Sequence, residues 1–109
     1  MVGKAAKAQR VCRVDRFVVP MSVRAEFLDR VRQTHDVLRA QPGFLQDMLL
    51  EQHAEGEHHV VTVVEWEDEA AMASAKLNVQ AAQREMNFNP QEFLARNGIR
   101  AEIGNYRHV

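Results

Sequence analysis

The sequence predicts an α+β fold: a ferredoxin-like βαββαβ unit whose antiparallel four-stranded sheet is complete only when two copies pack together. Three observations predict it. His58 to Trp66 carries valines at 60, 61, 63 and 64, β-branched residues on both faces of one strand. Two stretches show apolar residues at helical spacing: Val23, Phe27, Val31, Thr34 and Leu38, then Met72, Ala75, Val79, Ala82 and Met86. Between these segments stand Pro42-Gly43 and Gly56, and after them Gly98, which interrupt the chain where turns are needed.

The elements follow in order. Met1 to Arg10 has no apolar pattern and is expected to be a loose tail before a domain spanning 11–109. Val14 to Val19 reads as a strand, ended by Pro20, which cannot donate to a ladder. Ser22 is expected to cap the first helix, with Arg24, Asp29, Arg30, Arg32, Asp36 and Arg39 on its solvent side. Gln41-Pro42-Gly43 stops that helix. Phe44 to Gln52 is the second strand. Phe44, Met48 and Leu50 share one parity, Leu45 and Leu49 the other. Ala54 to Glu57 is a hairpin loop in which Gly56 supplies positive φ. Asp68 caps the second helix, with Glu69 favoured in its first turn by the helix dipole. Asn89-Pro90-Gln91-Glu92 starts a short extra helix, with Glu92 placed for a capping box. Gly98 ends it. Ile99 to Val109 is the last strand, with Ile99, Ala101 and Ile103 on one face.

Strands two and three are apolar on both parities, so helices covering one face leave a second apolar face in water. A patch of roughly several hundred Å² exceeds what monomers expose. Covering it is worth on the order of 10 kcal/mol before association costs, at about 25 cal/mol per Å². Pairing two copies through their sheet faces is the simplest symmetric cover. A last strand folded back over its own sheet is the other way to cover it.

The 109 residues suffice for one core, and 46% hydrophobic with 27% charged residues is an ordinary globular balance. A net charge of -1 gives no overall field toward nucleic acid or anionic lipid, and neither partner is expected. No apolar run reaches the roughly 18 residues of a membrane helix. Cys12 is the lone cysteine, which excludes an intrachain disulfide and fits a reducing, cytoplasmic setting.

Pro42-Gly43-Phe44-Leu45, Gly56, and Val63-Val64-Glu65-Trp66-Glu67-Asp68-Glu69-Ala70 resemble the antibiotic biosynthesis monooxygenase family over about residues 13–109. The resemblance implies a dimeric α+β barrel. Its quinone-forming members are cofactor-free oxygenases in which a deprotonated polyphenol supplies the electrons to oxygen. It also implies an Asn four residues before the strand tryptophan, a Tyr six after it and an Arg about twenty after it. Here Trp66 matches, Thr62 and Met72 stand at the first two positions, and Met86 with nearby Arg84 at the third. Thr62 can still donate a hydrogen bond and Arg84 can hold an anion, whereas Met72 cannot replace a phenol. The heme-degrading branch resembles the chain less: Arg16, Ala75 and Glu85 stand where it has Asn, Trp and His. Heme oxygenation is not expected.

The expected function is thus a monooxygenase without metal, flavin or other cofactor, acting on a small aromatic or polyphenolic molecule. A non-catalytic binding or stress-response barrel and a related isomerase or dehydratase are the alternatives. Trp66 and Thr62 are the candidate catalytic residues. Arg84, His35, Met72, Leu77 and Arg16 are the candidate substrate contacts. Each has a structural alternative. Trp66 is a pocket wall or a core residue. Leu77 floors a pocket, touches a partner subunit, or is an ordinary surface residue. Arg16 binds an anion, or pairs with Asp47 or Glu51. His35 is a pocket base or a backbone-bonded histidine. His53, His58 and His59 cluster at the hairpin without the spacing of a metal site.

Overall fold

The computed structural model describes residues 9–109. Strand β1 (Val11–Val18) leads through a 3₁₀ turn (Met21–Val23) into α1 (Arg24–Arg39). Strands β2 (Phe44–Ala54) and β3 (Glu57–Trp66) form a hairpin, followed by α2 (Glu69–Glu85), α3 (Pro90–Arg96) and β4 (Arg100–Arg107). The four strands make one antiparallel sheet in the order β2-β3-β1-β4. This is the ferredoxin-like α+β fold that the sequence predicts. No helix among the described residues is long and apolar enough to cross a membrane. The expected loose tail lies outside the described residues over 1–8, and Arg10, placed in that tail, is half-buried.

Local chemistry explains most boundaries. Asp68 accepts a hydrogen bond from the Ala71 amide at 2.8 Å and caps α2, and Asn89 accepts one from the Glu92 amide at 3.0 Å and caps α3. That second bond is the first half of the expected capping box. Ser22 does not cap α1. It lies in the 3₁₀ turn, where the Val23 amide donates to the Pro20 carbonyl, and the helix begins at Arg24 with no side-chain cap. Glu55 and Gly56 both have positive φ, the signature of a tight hairpin turn that matches strand twist.

One face of the sheet lies under the helices. It presents Val60, Thr62, Val64 and Trp66 from β3, Phe17 and Val19 on the β1 line, and Leu49 from β2. The core divides into two clusters. Val19, Phe27, Leu28, Val60, Phe93 and Ile99 form one. Val11, Val64, Trp66 and Ala75 form the other, with Leu38, Phe44, Ala71 and Met72 packed against it.

The parity expected for β2 is broken at its start. Phe44 pairs with Trp66 and Gln46 with Glu65, so Leu45 is an extra residue. Phe44 therefore turns to the helix side and meets the Trp66 ring edge-on at 5.8 Å, while Met48 and Leu50 face the other way. Leu49 joins the core rather than the open face. The open face carries Met48 and Leu50, 48% and 50% exposed, beside Val14, Val18, Val61 and Val63. Ile99 precedes β4 and is buried, but Ile103 is exposed.

Candidate active site

A cavity of about 330 Å³ separates the two clusters, between the sheet and α1, α2 and α3. Phe17, Phe27, Phe93 and Leu94 come from one cluster and Val64, Trp66 and Met72 from the other. Its sheet side includes Thr62, which is buried, and Trp66, which is 2% exposed. The lining is mostly apolar, with a few polar groups brought together, as in small-molecule sites generally.

Two of those polar groups come from β1. Arg13 and Asp15 share the helix-facing parity of Phe17, and Arg13 Nε donates to Asp15 Oδ1 at 2.7 Å. Both line the cavity, with Lys76 from α2 and Arg30 from α1. The Arg30 guanidinium lies 4.2 Å from the centre of the Phe88 ring and is held there by cation–π attraction.

His35 also lines the cavity and is buried. Its Nδ1 lies 2.9 Å from Asp47 Oδ2, and Arg39 Nε donates to the same oxygen at 3.0 Å. Burial alone would raise the Asp47 pKa. The hydrogen bonds from His35 and Arg39 outweigh it and hold the carboxyl below its ordinary range. An ionised Asp47 only accepts, so His35 Nδ1 carries the hydrogen. That fixes the tautomer and leaves Nε2 as the basic ring nitrogen. An imidazole so oriented can take a proton from a bound molecule.

Of the residues expected at the site, the cavity brings together Trp66, Thr62, His35 and Met72. Arg84 stands outside, in an open groove at the cavity mouth that shares Arg30, Gln83 and Phe88 with it. Leu77 is 66% exposed and does not line the cavity. Arg16 is on the opposite face of the sheet, because β1 alternates and its helix-facing set is Arg13, Asp15 and Phe17. Its expected partners are engaged on the helix side, Asp47 with His35 and Arg39, and Glu51 with Arg24. His35 bonds a carboxylate rather than backbone. The residues at the heme-branch positions do not converge: Arg16 is across the sheet, Ala75 is packed in the core and Glu85 is exposed. At the hairpin, His58 is buried with Nε2 3.0 Å from Glu51 Oε1, off the line of a hydrogen bond. His59 lies by Glu57.

Sequence reasoning passed over Arg13, Asp15 and the His35–Asp47 contact. The first two carried a signal: charges at the parity of Phe17 and Val19 point toward a core that must offer water or a ligand. The third had none, since it depends on where α1 crosses β2.

Residues 11–83 match the family described as antibiotic biosynthesis monooxygenase. Solved structures share the fold. SnoaB, a cofactor-independent oxygenase from Streptomyces nogalater, is 24% identical with a TM-score of 0.66, over 94% of this chain and 95% of its own. A conserved protein from Methanosarcina mazei Go1 is 16% identical with a TM-score of 0.69, over 97% and 99%. A single-substitution mutant of MhuD, with two manganese protoporphyrin IX bound per active site, is 23% identical with a TM-score of 0.67, over 91% and 94%. No curated protein matches in sequence. The chain belongs to the antibiotic biosynthesis monooxygenase family.

Proposed function

We propose that the cavity is the active site of a cofactor-independent monooxygenase acting on a small aromatic, polyphenolic molecule. The observation that carries this reading is an apolar space of about 330 Å³, walled by Trp66, that His35 enters with Asp47 behind it. Family membership and the fold shared with a cofactor-independent oxygenase support it. The enzyme works in the cytoplasm as a homodimer paired through the open sheet faces, a pairing supported by exposed Met48 and Leu50.

The chemistry runs through the substrate. His35 Nε2 takes a proton from an activated ring carbon or phenol. Arg13, Thr62 and the edge of Trp66 stabilise the anion in a mostly apolar site. The anion passes its electrons to O₂ and a C–O bond forms. The resulting hydroperoxide loses water, so a ring CH₂ and one O₂ become a carbonyl and one H₂O. Met72, Phe27 and Phe93 hold the rings.

Oxygen uptake with anthrone- or quinol-type substrates tests this. Wild type consumes one O₂ per quinone formed, and His35→Gln lowers kcat by about 10²-fold or more. Trp66→Phe keeps the fold and slows turnover. No uptake with any such substrate refutes the reading. The same dyad also suits an isomerase or dehydratase, which would exchange substrate protons with solvent without consuming oxygen.

A further inference from the structure

The sheet face opposite the cavity holds a second group of reactive side chains. Cys12 on β1 stands directly across from Glu65 on β3 and from Tyr106 on β4. His108 follows Tyr106 by two residues and so returns to the same face. The ligand atoms of Cys12, Glu65 and His108 all lie within 4.8 Å of one another. Gln46 Nε2 donates to Glu65 Oε1 at 2.7 Å and fixes that carboxylate. Its other oxygen lies 2.5 Å from His108 Nε2.

From this arrangement we propose that Cys12, Glu65 and His108 form a zinc-type metal site, with three protein ligands and one open position. A tetrahedral ion with bonds of about 2.0–2.3 Å holds its ligand atoms about 3.5 Å apart, which small side-chain rotations of this cluster reach. One sulfur, one nitrogen and one oxygen donor suit a borderline-soft divalent ion and not calcium or magnesium, which take oxygen cages. Glu65 is 3% exposed, and a carboxylate so placed must be compensated. His108 and Gln46 each hydrogen-bond one of its oxygens. A metal ion would take over that compensation, with Gln46 as the outer-shell group that orients the ligand.

The site is across the sheet from the cavity and does not depend on the proposed reaction, so it is tested with the metal alone. Cobalt(II) is titrated into the full chain after treatment with chelator, and zinc is then added. The expected result is one cobalt per chain, a thiolate-to-cobalt charge-transfer band, and displacement by zinc. Cys12→Ser abolishes the band, and His108→Ala weakens binding about tenfold or more. The double variant His53→Ala, His59→Ala binds as wild type does. Far-ultraviolet circular dichroism confirms that each variant is folded. Absence of the band in wild type, its survival in Cys12→Ser, or loss of binding with the hairpin histidines instead would overturn the proposal.

Discussion

Gly43 sits at φ +85°, and a Cβ built on it would come 2.4 Å from the Ala71 Cβ. Left-handed backbone costs a non-glycine residue about 1–2 kcal/mol, and overpacking adds about 1–3 kcal/mol. Gly43→Ala is therefore expected to lose about 2–5 kcal/mol in denaturant unfolding, with part of the loss restored by Ala71→Gly. Asp47 yields a second expectation. Its folded pKa lies below its unfolded value of about 3.9, so its stabilisation is present above that pH and fades as pH falls through the folded value. Glu51 and Glu65 are lowered as well, and act in the same direction. Urea midpoints measured across acidic pH should fall from about pH 5 downward, and Asp47→Asn should flatten that slope. At this scale the sequence set Trp66 and Thr62 on one face of β3, because a strand's alternation fixes which side chains share a face. It did not reveal the partners of His35 or Arg16. Those depend on which side of the sheet each side chain takes, and a strand read alone does not name its sides.

Helix and strand positions were legible wherever the chain carries its own punctuation. Both side-chain caps of α2 and α3 follow from Asp68 and Asn89, and the α1 end from Pro42-Gly43. The start of α1 was not, since a 3₁₀ turn competes for the amides that Ser22 would have capped. Asp68→Ala should lower stability by about 1 kcal/mol, read as a lower midpoint in thermal or urea unfolding. An Asp68→Asn variant, which keeps the accepting oxygen, should recover most of it. The course of β2 was read one residue out of step, because the bulge at Leu45 leaves no mark in hydrophobicity.

For the molecule as a whole, the open face is where pairing is argued. Leu50 is half exposed, opposite Val61 in the sheet and on the same face as Met48. Leu50→Asp should weaken the proposed dimer about 30-fold, the worth of one central contact of about 2 kcal/mol. Sedimentation velocity over a concentration series measures this. A wild-type chain that sediments as a folded monomer at micromolar concentration would contradict it.

The extra residue at Leu45 also acts as a phase shifter for the whole hairpin. Upstream of it, even-numbered residues of β2 belong with the tryptophan; downstream, even numbers belong with the opposite surface. A one-codon deletion there would leave composition and hydropathy almost unchanged. It would remove the unpaired residue and close a uniform odd–even rhythm with Phe44 still across from Trp66, so the aromatic wall behind the cavity would stand. The wall thus depends on Leu45 standing outside the ladder: were Leu45 paired with Trp66 instead, Phe44 would turn to the opposite surface.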